Sequence, residues 1–162
     1  RQRQMCIRDR WLTEEVKIDA AIDYKTANLG EVIPELCPEG IDVIFDNVGG
    51  EFLNTSLLSI NQNARVAICG AISGYNNEAP APGPSNYTAL LIQRAKMEGF
   101  IVLDYMDRFP EAIGELMQWV QEGKIIYQED IQEGIENAPE TLLRLYTGQN
   151  KGKQLLKIAD PE

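Results

Sequence analysis

Two segments carry the residue types from which a nucleotide site can be built: FDNVGG at Phe45 to Gly50 and CGAISGYN at Cys69 to Asn76. Each comes after a short apolar run, Ile41 to Phe45 and Ala64 to Ile68, that reads as a buried parallel strand. In open α/β sheets the carboxyl ends of such strands line the crevice that binds nucleotides, so the pair reads as one wall of a dinucleotide site. In the first segment Asn47 can offer an amide to a cofactor, while Gly49 and Gly50 let backbone approach it; the same residues also suit an ordinary strand-to-helix turn. In the second, the backbone amides of Cys69, Gly70, Ala71, Ile72 and Ser73 can face a ribose or nicotinamide. Tyr75 adds a hydroxyl for a ribose or a developing oxyanion, the alternative being a surface loop with an incidental tyrosine. Cys69 reads as a small packed residue, since no cationic or basic neighbour is visible to activate it. Tyr24 and Lys25 could contact an adenosine ribose or its 2′-phosphate, although an exposed Tyr-Lys pair is the plainer reading. Asn150 reads as turn chemistry.

The sequence contains no histidine. That removes Ser-His-Asp and Cys-His catalysis and every His-ligated metal site from within this chain, and chemistry must come from a bound cofactor, a Tyr, Lys or carboxylate, or a partner segment. The three cysteines, Cys6, Cys37 and Cys69, are odd in number and widely spaced. They suit neither a disulfide framework nor a thiolate metal site, and no metal is expected. A reducing, cytoplasmic setting is expected. With 162 residues, 44% of them hydrophobic, the chain is long enough for one globular core. Its formal charge of -10 argues against nucleic acid as a partner. No apolar stretch reaches the ~20 residues of a membrane span, so no membrane partner is expected.

Residues 1–10 carry four arginines and one aspartate and share no apolar periodicity with the rest of the chain. They read as a foreign or mis-joined leader, or as a flexible basic arm. Beyond them strands and helices alternate in a βαβ rhythm. Helices are expected near Trp11 to Val16, over Asn28 to Leu36, Glu51 to Ile60 and Ser85 to Met97, and from Asp107 to Gly123. A last helix is opened by Asn137, with Glu140 completing a capping box, and closed by Gly148. Strands are expected at Ala20 to Ile22, Ile41 to Phe45, Ala64 to Ile68, Phe100 to Tyr105, Ile125 to Gln128 and Gln154 to Ile158. A Pro-rich loop covers Ala79 to Pro84.

Taken in order, FDNVGG, CGAIS-x-YN, the PGP of Pro82 to Pro84, RAKMEGFIV and the closing GQNKGK resemble the zinc-independent medium-chain dehydrogenase/reductases. The matching branch includes prostaglandin reductase, leukotriene B4 12-hydroxydehydrogenase, 2-alkenal reductase and bacterial curcumin reductase. The resemblance covers about Trp11 to Ala159. It implies an α/β fold, an incomplete Rossmann-type doubly wound parallel sheet whose closing strands return to a catalytic domain. It also implies NADP(H) as cofactor and reduction of the carbon–carbon double bond of α,β-unsaturated aldehydes and ketones, with hydride going to the β-carbon and a proton to the α-carbon. By motif, Tyr24 falls at the adenosine-phosphate contact and Asn47 beside the nicotinamide half. Cys69, Gly70, Ala71, Ile72 and Ser73 wrap the cofactor, and Tyr75 bonds the nicotinamide ribose and takes a catalytic role. Phe100, Ile101 and Val102 lie near the nicotinamide, and Asn150 precedes the last strand. Relatives dimerise through the edge strand matching Phe100 to Tyr105, so a homodimer is expected.

The family's glycine-rich phosphate loop has no counterpart in the sequence, nor has the N-terminal catalytic domain. The expected organisation is therefore a leader over 1–10, a partial nucleotide-binding domain over 11–123, and a segment over 124–162 that returns toward the catalytic domain. Such a chain is the C-terminal half of an enzyme, exposes strand edges and apolar faces, and by itself binds NADPH weakly or not at all. The competing reading is a non-catalytic nucleotide-binding or dimerisation module. A methyltransferase-like domain would want a glycine-rich loop after the first strand, which the sequence does not offer.

Overall fold

The computed structural model describes residues 9–75, 78–79 and 82–160. The leader reading therefore falls mostly outside the described residues, as do Asn76 and part of the Pro-rich loop. The chain divides into two compact units, residues 22–109 and the described residues before 22 and after 109. Every strand pairing among the described residues is parallel, as expected of an α/β fold. No helix among them is long and apolar enough to cross a membrane.

In the 22–109 unit, α1 (Leu29–Leu36) leads to β1 (Ile41–Asp46), α2 (Gly50–Ser56), β2 (Ile60–Ile68), α3 (Thr88–Ile92) and β3 (Lys96–Gly99). The strands lie in the order β1-β2-β3. Alternation along β1 and β2 sends Ile44, Ala64 and Val66 to one face, where Leu53 and Leu57 of the α2 region and Ile60 cover them. Leu57 is fully buried, and removing most of such a side chain costs about 2–5 kcal/mol. The opposite face carries Val43 and Phe45, both exposed.

Several expected boundaries move, and hydrogen-bond pairing explains each. Ala20 to Ile22 forms no strand, because no described segment pairs with it. The expected helix from Ser85 to Met97 shrinks to α3: Arg94 takes φ 47°, which ends helical geometry, and Met97 pairs with Val66. The outer strand is accordingly Lys96–Gly99 rather than Phe100 to Tyr105. Pairing stops where β2 stops, at Ile68 opposite Gly99, and Val102–Arg108 coils into 3₁₀ turns.

In the second unit, Trp11–Glu15 forms a π-helical turn. Helix α4 (Phe109–Gln121) has Pro110 in its first turn, as expected; β4 (Glu129–Glu133), α5 (Ala138–Thr147) and β5 (Lys153–Lys157) then form a βαβ unit. The strand expected at Ile125 to Gln128 lies four residues later, where β5 pairs with it. Gly148 closes α5 at φ 68°, as expected. Asn137 precedes α5 but makes no side-chain cap; its amide donates to the Glu133 carbonyl at 2.7 Å instead.

Asp130 is the polar anchor of this unit. Its carboxylate accepts the Lys151 N–H at 2.9 Å, Arg144 Nη2 at 2.7 Å and Gln132 Nε2 at 2.9 Å, while Arg144 Nε reaches Gln154 Oε1 at 3.0 Å. The Lys151 hydrogen bond chiefly, with Arg144 and Gln132, holds the Asp130 carboxyl below the usual carboxylate range against the opposing effect of burial. A carboxyl whose pKa falls on folding stabilises the folded state above its unfolded value, about 3.9, and loses that contribution as pH falls through the folded value. In urea unfolding, Asp130→Asn should therefore be less stable than the parent sequence at neutral pH, with the difference shrinking as the buffer is taken below about pH 4.

Candidate functional site

The site is built at the carboxyl ends of β1, β2 and β3. Asp46 closes β1 with its side chain 0% exposed. A carboxylate so placed needs donors, and it takes them from the adjoining turn: Val48 N–H lies 2.8 Å and Gly49 N–H 2.9 Å from Oδ1. The Asp46 carbonyl accepts Cys69 N–H at 2.8 Å and Gly70 N–H at 3.2 Å from the end of β2. The two turns are then laced together. Ile72 N–H donates to Asn47 O at 3.1 Å, Ser73 N–H to Val48 O at 3.1 Å, and Ser73 Oγ to the same carbonyl at 2.6 Å.

Glycine at positions 49 and 50 makes this approach feasible. Both have left-handed backbones, φ 66° and 55°. A Cβ on Gly49 would stand 3.2 Å from Ala71 Cβ, and one on Gly50 would stand 2.8 Å from Ser73 Oγ. Their close approach is to the neighbouring turn rather than to a ligand. The expectation for the second segment's amides changes too, because every N–H from Cys69 to Tyr75 is engaged inside the protein. What the turn offers outward is side chains and carbonyls.

Tyr75 folds back so that its hydroxyl oxygen accepts the Ala71 N–H at 3.5 Å, leaving its own proton to donate. A Cβ on Gly70 would lie 3.2 Å from this hydroxyl and 3.5 Å from Asn47 Oδ1. The two polar groups singled out in the sequence thus converge across Gly70, with Tyr75 70% exposed and the Asn47 carboxamide free of protein partners among the described residues. Cys69, expected to be a packed residue, is instead an exposed free thiol, because it lies just past the end of β2.

Phe100, Ile101 and Val102 come directly after the end of β3. Phe100 N–H donates to Ile68 O at 3.2 Å and its ring lies 5.9 Å from that of Phe45, while Ile101 and Val102 are exposed. Tyr24 sits outside this cluster, its ring edge-on to Phe52 of α2 at 6.3 Å. Asn150 belongs to the other unit, where its amide donates to Gly152 O at 2.8 Å within its own turn. Sequence reasoning missed the part played by Asp46 and the Asn54 junction. Asn54 Oδ1 accepts Ser85 Oγ at 3.0 Å and Asn86 N–H at 3.1 Å, tying α2 to the segment before α3. An acidic residue closing an apolar strand was the signal for Asp46; no spacing pattern marks the Asn54 contacts.

A profile of the zinc-binding dehydrogenases matches residues 9–122. The chain belongs to that family. Its relatives include YfmJ of Bacillus subtilis, 46% identical over 154 residues, which cover 93% of this chain and 45% of YfmJ. The NADPH-dependent curcumin reductase of Escherichia coli is 37% identical over 155 residues, 93% of this chain and 45% of that protein. The crystal structure of CurA from Vibrio vulnificus in complex with NADPH superposes with a TM-score of 0.82 at 34% identity, covering 96% of this chain and 48% of CurA. The chain spans about half the length of the relatives it matches. The resemblance to the reductase branch and the Rossmann-like fold are thereby established. Zinc, which names the family, does not fit these residues: the sequence has no histidine, and no His, Cys, Asp and Glu cluster among the described residues could hold an ion.

Gly50→Ala should cost about 1–3 kcal/mol, from the left-handed backbone and the contact with Ser73. Removing the Ser73 hydroxyl in Gly50→Ala/Ser73→Ala should recover part of that loss in denaturant unfolding. Equal stability of Gly50→Ala and the parent sequence would contradict the close approach of the two turns.

Proposed function

We infer that the chain is the C-terminal part of an NADPH-dependent oxidoreductase that reduces the carbon–carbon double bond of α,β-unsaturated aldehydes and ketones. The observation that carries this reading is the convergence of the Tyr75 hydroxyl and the Asn47 carboxamide across Gly70 at the strand ends. The names of the curcumin reductase and of NADPH-bound CurA support the cofactor and the reaction class. In this reading residues 11–123 are a partial nucleotide-binding domain, and 124–162 return toward a catalytic domain of the parent. The residues at the strand ends fit the cofactor chemically: a hydroxyl with a proton to give, a carboxamide with both donor and acceptor, and apolar Ile101 and Val102 for a ring face.

When bound, NADPH supplies the hydride that goes to the β-carbon. Tyr75 donates its hydroxyl proton in a hydrogen bond to the nicotinamide ribose or to the oxygen on which enolate charge develops. Asn47 orients the carboxamide end, and Cys69, Gly70, Ala71, Ile72 and Ser73 form the wall beside it. Phe100, Ile101 and Val102 exclude water from the nicotinamide side. Tyr24 serves as the adenosine-phosphate contact, and Asn150, before β5, is the cofactor-binding asparagine that the family resemblance assigns. A proton taken from solvent by the α-carbon of the enolate completes the reduction.

In the complete parent, NADPH absorbance should fall on addition of a 2-alkenal, and Tyr75→Phe should slow that reaction by on the order of 10². The 162-residue chain alone should show no turnover. An inactive parent, or an unchanged rate in Tyr75→Phe, would refute the reductase reading or the role of Tyr75 respectively.

The same reading includes a homodimer. The outer strand that would pair across a two-fold axis is Lys96–Gly99, whose far edge has no partner strand among the described residues. Sedimentation of the parent should give a dimer that Met97→Pro weakens; a monomer at all concentrations would rule it out.

A further inference from the structure

At the other end of the same sheet, cations gather. Asp42, Asn63, Arg65, Arg94 and Lys96 line an open basin of about 440 Å³. Arg65 on β2 stands directly opposite Lys96 on β3. Like charges so placed cost stability rather than adding to it, unless a counter-charge joins them. Among the described residues none of the three cations has an ion-pair partner: Arg94 Nη1 donates to the Ile92 carbonyl at 2.6 Å, and the one carboxylate in the lining, Asp42, accepts Asn61 Nδ2 at 3.0 Å. Three cations thus face one occupied carboxylate in a chain whose formal charge is -10.

The backbone around the basin is held in an unusual form. Asn63 and Arg94 both have left-handed φ, 64° and 47°, and the Asn63 N–H donates to Gln93 O at 2.8 Å, which brings these two turns together. For arginine this conformation is disfavoured, so the contact between the turns holds it there. Arg65 is three residues before the end of β2, which separates the basin from the Tyr75 turn by roughly 10 Å of strand at about 3.3 Å per residue.

We propose that this basin is a second site, for a small phosphate-bearing anion with at least two phosphoryl groups. Two guanidinium forks and an ammonium group match several phosphate oxygens at once, and the volume exceeds what a single phosphate needs. Because the basin is open, binding is salt-sensitive. The inference does not rest on the reductase reading, and its probe contains no nicotinamide.

Inorganic pyrophosphate titrated into the 162-residue chain by calorimetry at low salt should give saturable one-to-one binding. Sodium chloride at matched ionic strength should give none. Arg65→Gln/Lys96→Gln should weaken pyrophosphate at least tenfold, whereas Lys157→Gln, which removes one charge elsewhere, should leave it within about twofold. Absence of saturation, or equal affinity in the double variant, overturns the proposal, the latter assigning the anion to another part of the surface.

Discussion

The buried Asp46 carboxylate is the constraint on which the candidate site depends. A fully buried carboxylate without donors would cost several kcal/mol, and here two amides of the next turn supply them. Hydrogen bonds to a charged acceptor contribute roughly 1.5–3 kcal/mol, so the turn from Asn47 to Gly49 is fixed rather than free to drift. The same residue's carbonyl holds the start of the Cys69 turn. One residue thereby sets the position of both Asn47 and, through the laced turn, Tyr75.

That lacing changes the meaning of the small residues. Glycines at a strand end suggest room for a ligand, but Gly49 and Gly50 make room for Ala71 and Ser73. The amides of the second turn are likewise consumed within the protein. What the two turns present outward is a pair of side-chain polar groups, Asn47 and Tyr75, on a rigid support. The sheet also separates two electrostatic environments. Its carboxyl ends present neutral polar groups and an anchored acid, while Arg65, Arg94 and Lys96 gather toward its opposite end.

Local propensity and tertiary pairing disagree most clearly between residues 93 and 108. The run Ala95 to Glu98 consists of helix formers, yet Lys96–Gly99 is a strand, because β2 offers unpaired backbone groups opposite it. Phe100 to Tyr105 is rich in strand formers, yet β2 ends at Ile68 and offers nothing further to pair with, so the chain turns. The same shift moves β4 from Ile125 to Gln128 onto the polar segment Glu129–Glu133, where β5 runs alongside.

The sequence by itself determined the order of strand and helix, the parallel α/β class, the family, and the two strand-end segments where polar and glycine residues gather. These are local patterns: an apolar run of strand length, an acidic or polar stop, and glycines where φ must be positive. Only the tertiary structure decided which residues of each apolar stretch form the ladder, since that depends on where the partner strand begins and ends. It alone joined Asp46 to Cys69 and Gly70, and Asn47 to Tyr75 across Gly70. Those contacts link residues more than twenty positions apart, and they arise because parallel pairing of β1 with β2 brings the ends of both strands to one edge of the sheet.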